Sequence, residues 1–531
     1  MATNITAGFV TGVGRGSDTA SLKATMPPLL VIGLVGAACL LAVLNSGGYR
    51  YGVSDQAFYL PAVIQHLDRS LFPRDRVLLH AQDRFMLFDA VAAAVLKTTG
   101  LSLPTLFLVL FVAGLALHFT GCLELGRCWY RSSWSVAALL FLLTLRHRIT
   151  LTGANTLEGY LHPRSLAFAV GLWALVSFLR GRSMVAITLV AAAGALHTTT
   201  ALWFALWLGP AIFVAEPRWR RPLTSAAAIA VGGAIGALWL GPMRDEWQWM
   251  DDRWMSVLDL KDYLFPTEWP LSAWLINLSY PVIMWTGFRM RVRRSLASSR
   301  EAALVFGALA LASFFLLSLP LVAMRVALAV QLQVSRVFWM LELMATLYLV
   351  WMALECAPTR SMRLPVRRWV TMVIAIVAVA RGTYVLRVEQ AGRPVIRVNV
   401  PQDEWTDVMR WLRTTPPDAH VLADPNHAFR YGTSERVLGE RDVLLDDSKD
   451  TALAIYSRAI AYRVRERIDA IGDFDALQPQ AIAALTARYD LSYLITERSM
   501  PFPRVYGNGR FSVYSLRIAD SRPPAAGGSR Q

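Results

Sequence analysis

Apolar residues along this chain fall in long runs separated by short polar breaks. With a window of roughly 19 residues, the runs mark candidate membrane spans near 27–45, 101–121, 133–146, 164–180, 184–198, 200–215, 223–241, 271–288, 302–323, 335–354 and 369–386. A helix needs roughly 20 residues to cross hydrocarbon, and several runs are shorter, so about eleven transmembrane helices are expected with loosely set ends. The first run, Leu29 to Leu44, follows a Gly/Ser/Thr-rich leader (1–26) without an obvious small-residue cleavage site, and reads as an uncleaved span. Phe85 to Lys97 is also apolar. Counting it as a span would place every later basic loop outside, so it is expected to be a juxtamembrane or re-entrant helix on the outer face.

Two stretches break this rhythm. Ser46 to Arg84 is polar and dense in charge, yet FYLPAVIQHL within it repeats apolar residues at helical spacing. That pattern suits short amphipathic helices lying on a bilayer surface and framing a cavity. From about Val388 the long apolar runs stop. DEWTDVMRWLRTT and ALAIYSRAIAYRVRERIDAI have helical periodicity, while HVLAD, SYLIT and FSVYSLR read as strands. The expected organisation is a membrane domain over 27–386, a small extracytoplasmic α/β domain over 387–518, and a disordered Pro/Gly/Ser-rich tail over 519–531.

Composition supports this class: 55% of residues are hydrophobic and 17% charged, with mean hydropathy +0.40, too much apolar surface for a soluble core. The net charge of +15 could suggest nucleic acid, so its position matters. From Arg387 onward there are 20 Lys+Arg and 19 Asp+Glu, against 33 and 19 before it. The excess lies between spans, as the positive-inside rule requires, so nucleic acid is not an expected partner. Basic alternate loops (Arg127 and Arg131; Arg180 and Arg182; Arg218 to Arg221; Arg289 to Arg300; Arg360 to Arg368) put the N-terminus in the cytoplasm. Met243 to Pro270, with seven acidic and three basic residues, then lies outside, as does the C-terminal domain. The four cysteines suggest neither disulfides nor a zinc site. Short loops and high Arg and Ala content point to a bacterial inner membrane.

Several polar groups stand where polar groups are costly. Asp55, beside Gln56 and Tyr59, is a candidate general base or metal ligand at the membrane face; Ser54 or Asp55 could equally cap the following helix. In RHRITLTGANTLEGYLHPRS, Glu158, His162 and Arg164 crowd before a span, although His-Pro-Arg also suits a helix start with a snorkelling arginine. Arg146 and Arg148 sit on the side that should hold few positive charges, which a bound anion would explain. His197 interrupts two apolar spans and reads more readily as structural. Arg325 and Arg336, near the outer ends of spans, either bind an anion such as a lipid phosphate or snorkel to the interface. Trp247, Trp249 and Trp254 beside Asp251 and Asp252 suit sugar stacking or an interfacial aromatic belt.

The layout of one span, a long outer loop with surface helices and an early acid, a second acidic outer loop, a late outer arginine and a C-terminal outer domain resembles the glycosyltransferase C superfamily. These are polytopic enzymes that use polyprenyl-phosphate-linked sugars. The resemblance implies that Asp55 in Ser-Asp-Gln matches the catalytic acid, Glu158 the acid of the second loop, and Arg336 the arginine that binds the donor phosphate, with Arg325 as a further candidate. Gln56, Tyr59, His162, Arg164 and His197 would line the substrate site. Glu158 stands alone and not in an Asp-x-Asp pair, so a divalent cation (Mg or Mn) held by Asp55 and Glu158 is only an option. The implied reaction is inverting transfer of a sugar from a polyprenyl-phosphate donor to an extracytoplasmic lipid, glycan or protein acceptor, with Asp55 as general base. A transporter or flippase for a lipid-linked or anionic substrate, or an inactive scaffold relative, are the alternatives; the internal repeats that many transporters carry are not evident.

Overall fold

A computed structural model describes residues 26–83, 86–241, 247–356 and 360–517. The leader (to residue 25), the tail beyond 517 and part of the acidic loop (242–246) lie outside the described residues. Contacts divide the chain into two compact units. One is built from the chain up to Tyr51, Gln82–Asn399 and Ile455–Arg458; the other from Gly52–Ala81, Val400–Ala454 and the chain from Ala459 on.

The first unit is a helical membrane unit. A helix stands at each of the eleven positions expected from hydropathy, from Pro28–Asn45 to Arg360–Tyr384. Among the described residues six helical stretches are long and apolar enough to cross a membrane, and three shorter apolar helices (Ser133–Leu143, Pro163–Leu179 and Ser183–Leu196) accompany them. The stretch Ala327–Glu355 is 78% buried whereas Leu364–Glu389 is 22% buried, so the former is the central element of the unit and the latter a peripheral one. Phe168 stacks on Trp339 of that central stretch at 4.0 Å. Gly114 lets the helices Leu103–Trp129 and Pro163–Leu179 approach closely, because a Cβ there would lie 2.6 Å from Leu166 Cδ2. Phe88–Thr99 is a helix of 12 residues, too short to span. One arginine of the basic loops is not a loop charge at all. Arg291 is buried and makes a bidentate pair with Glu301, at 2.6 and 2.9 Å, to which Tyr348 also donates. Strands β1 (Tyr49–Arg50) and β2 (Ile396–Arg397) pair in parallel in this unit.

The second unit is α/β. Its strands are β3 (His420–Leu422), β4 (Asp442–Val443), β5 (Tyr493–Thr496), β6 (Arg504–Gly507) and β7 (Ser512–Ser515), in the order β4-β3-β5-β7-β6. β3, β4 and β5 are parallel; β7 runs antiparallel to both β5 and β6. The helix Glu404–Leu412 is capped by Asp403, which accepts from Thr406 N at 2.8 Å. Its Trp405, Val408, Met409 and Leu412, spaced as one helical face, are buried against Val421, Ile495 and Val513 of the sheet. Each such side chain contributes roughly 1.5–3 kcal/mol by burial.

The unit is discontinuous in sequence. The expected short helices are present, over Gln56–Leu67 and Arg76–Asp83, but the first is not amphipathic in place. Gln56, Ala57 and every residue from Tyr59 to Gln65 are buried. What anchors the segment is Asp75. Its carboxylate is fully buried and receives Arg436 Nε at 2.7 Å together with Arg463, while its backbone N–H donates to Asp442. Arg436 continues to Asp450 through two bonds of 2.6 and 3.0 Å.

Candidate functional site

In the discontinuous unit, Asp55 occupies the position just before the helix Gln56–Leu67, yet its side chain makes no capping hydrogen bond. The capping role open to it in the sequence is not the one it fills. Its carboxylate faces Lys449 Nζ at 3.6 Å, and that ammonium also lies 5.3 Å from the Phe58 ring centroid. Ser54, immediately before, holds a left-handed backbone (φ 53°), a conformation rare outside glycine. Gly52 (φ 79°) and Gly432 (φ 82°) supply the same hand where it costs least.

These turns enclose a cavity of about 270 Å³ lined by Ser54, Thr433, Ser434, Ser448 and Lys449, with Phe429 at its side. Ser434 Oγ donates to Asp446 at 2.8 Å. Thr433 is held by its carbonyl, which accepts from Trp405 Nε1 at 3.1 Å. Its hydroxyl is buried and makes no hydrogen bond within the protein, which leaves a polar group uncompensated. Lys449 and Thr433 carry no sequence signal of their own, because they become site residues only when residues 52–57 fold onto the C-terminal domain.

Two residues expected to contact substrate are buried. Gln56 is fully buried and spends its Oε1 on Gly52 N at 2.7 Å; Tyr59 is buried too.

In the membrane unit a second polar centre forms. His162 caps the helix Pro163–Leu179, its Nδ1 accepting from Arg164 N at 3.1 Å, with Pro163 at the first turn. Arg164 is buried and not snorkelling. It donates to Glu158 Oε1 at 2.6 Å, Asn155 donates to both Glu158 oxygens at 3.1 and 3.3 Å, and Arg146 Nη2 lies 3.8 Å from Oε2. Glu158, expected as a catalytic acid or metal ligand, thus has its carboxylate matched by two guanidinium groups and an amide. The anions sought for Arg146 and Arg148 are the protein's own, Glu158 and, at 3.7 Å, Asp262.

His197 caps the helix Thr198–Ala215, its Nδ1 accepting from Thr200 N at 3.3 Å, and its ring lies 6.1 Å from that of His162. Its ionisable neighbours include His162, Arg336 and Arg164. Arg336, in the short turn Val334–Arg336, thus belongs to this centre. Arg325 does not. It is half-exposed and paired with Asp252 at 2.7 Å. Glu158, Tyr160 and His162 close one end of a narrow seam whose remaining walls include Phe111, Leu115 and Leu166. Of the tryptophans near Asp251, Trp254 is core, and Asp251 accepts its N–H at 2.9 Å; Trp247 and Trp249 are exposed.

No protein-family model matches the chain, and no curated protein matches it. Among solved structures it is similar to arabinofuranosyltransferase AftD from Mycobacteria, at 14% identity and a TM-score of 0.47, over 94% of this chain and 40% of that one. A mutant of AftD gives 13% identity and a TM-score of 0.48, over 94% and 42%. This chain thus spans about two fifths of the length of those proteins.

Proposed function

We propose that this polytopic membrane protein is a glycosyltransferase that moves a sugar from a polyprenyl-phosphate donor to a hydroxyl of an extracytoplasmic lipid, glycan or protein acceptor, in a bacterial inner membrane. The observation that carries this reading is Asp55. It is a carboxylate at a helix start that does not cap its helix and faces Lys449, a residue that with Ser54, Thr433, Ser434 and Ser448 lines the neighbouring cavity. A wall carrying hydroxyl residues suits a polyhydroxylated acceptor, and a carboxylate paired with one of the wall's own side chains suits a base.

Asp55 takes the proton of the acceptor hydroxyl as that oxygen bonds to the anomeric carbon. The bond from that carbon to the phosphate oxygen breaks on the opposite face, and the configuration inverts. The polyprenyl phosphate leaves with the bonding pair, so the protein's tasks are proton removal and charge neutralisation. Arg336 is the group we assign to the phosphate, in a centre already rich in positive charge. Glu158 acts as a positioning residue for Arg164.

The test is transfer of a labelled sugar from a panel of polyprenyl-phosphate donors in membranes holding wild type, Asp55→Asn and Arg336→Ala. Loss of the base should lower transfer by about 10²–10⁴-fold with thermal stability retained. Undiminished transfer by a stably folded Asp55→Asn would remove Asp55 from the reaction.

A further inference from the structure

The C-terminal sheet has a second open site. From β3 the chain passes to β4 on one side and then returns to β5 on the other side of β3. Connections that leave in opposite directions open a crevice at the carboxyl ends of the strands, where α/β sheets bind ligands. A cavity of about 580 Å³ lies at this edge, within the size range of small-ligand sites. Asp424 and Asn426 follow β3, and Leu445 and Asp447 follow β4. Arg498, just after β5, donates to the carbonyls of Phe474 and Leu477 and so ties down the opposite wall, which holds Asp473, Phe474 and Asp475.

The lining selects among ligand classes. Four carboxylates face one guanidinium, Arg430, already paired with Asp424 at 2.7 Å and Asp475 at 3.5 Å, so a phosphate or another anion is disfavoured. Among the described residues no group of three or more acidic, histidine or cysteine side chains is placed to hold a metal ion. The floor is apolar, from Leu445, Ile468 and Ile471. Phe429, at the rim, is 88% exposed, although phenyl rings are usually covered. Carboxylate oxygens that accept from neighbouring hydroxyls, combined with aromatic faces over an apolar floor, fit a sugar ring, which carries hydroxyls around its edge and C–H groups on its faces.

We propose that this carboxyl edge is a binding cleft for a neutral oligosaccharide, sharing Phe429 with the cavity beside Asp55 but none of its hydroxyl residues. Binding here needs no transfer chemistry, so it stands or falls apart from the catalytic reading. The test uses the full chain in lipid nanodiscs, where no sugar-headed detergent competes, with neutral pentose and hexose di- to tetrasaccharides as probes. Saturation-transfer NMR and calorimetry read the binding. Saturable binding is expected, persisting in Asp55→Asn, weakened at least fivefold by Phe474→Ala and by Asp475→Asn, and abolished by Asn426→Trp, which fills the mouth from an exposed position. Unchanged thermal unfolding of each variant shows that it is folded. The proposal is overturned if no oligosaccharide binds, if binding ignores all three folded variants, or if only a basic peptide probe binds and responds to them.

Discussion

Two of the buried ion-pair centres, one from each unit, are built on opposite plans. Glu158 and Arg164 are six residues apart, on the same turn before one helix, and Asn155 and Arg146 share the carboxylate. Asp75 and Arg436 are 361 residues apart, and their bond joins the N-terminal segment of the discontinuous unit to its C-terminal body. A local centre fixes the shape of a loop. A distant one decides whether a domain closes. Burying a charge costs several kcal/mol unless it is matched in good geometry, so both are fully matched, but only the second carries the topology of its unit.

The largest expected effect comes from breaking the distant centre. Arg436→Met leaves Asp450 without its bidentate partner and Asp75 short of one, and should cost about 3–5 kcal/mol, read as a lowered melting point and protease cleavage near residues 68–76. The equivalent cut in the local centre, Arg164→Met, should cost about 2 kcal/mol, because Asn155 and Arg146 remain on Glu158. Equal losses in the two variants would dissolve the contrast.

Acid sharpens it next. Burial and the neighbouring Asp75 push the Asp442 carboxyl up to about 6. A carboxyl raised in the folded state lends stability that is fully present below its unfolded value of 3.8 and lost as pH rises through about 6. Relative to Asp442→Asn, the wild-type protein should therefore lose stability from pH 4 to pH 6. Asp75 runs the other way: burial would raise it, but Arg436, Arg463 and Arg467 outweigh that and hold it below the usual carboxylate range. Its stability is present above 3.8 and fades as pH falls below that value. A pH-independent difference between wild type and Asp442→Asn would rule this out. The smallest stability change belongs to Lys449→Met, within about 1 kcal/mol for a partly exposed pair. Its transfer rate should nevertheless drop, and a variant as active as wild type would detach Lys449 from Asp55's chemistry.

The same contrast explains what could be read in the chain. Every hydropathy run became a helix, and DEWTDVMRWL became one with its apolar face inward, because these patterns are written within a few turns of sequence. Glu158, His162 and Arg164 could be grouped for the same reason, although their mutual saturation could not. Nothing local separates Asp75 from the exposed Asp68 seven residues earlier; only Arg436 and Arg463 do. Gln56 and Tyr59 look like surface groups until the C-terminal domain covers them. A strand as short as Asp442–Val443 leaves no alternation to detect, so that edge of the sheet is hidden in the sequence.

The discontinuity of the second unit has a consequence for biosynthesis. The segment Gly52–Ala81 leaves the ribosome long before Arg436 exists. At roughly 5–20 residues per second, Asp75 waits on the order of 20–70 s for its partner, a carboxylate that must stay hydrated meanwhile. Helix insertion proceeds during that interval, so the early segment is a natural client for a holding chaperone, and its late capture is a checkpoint that a truncated chain cannot pass.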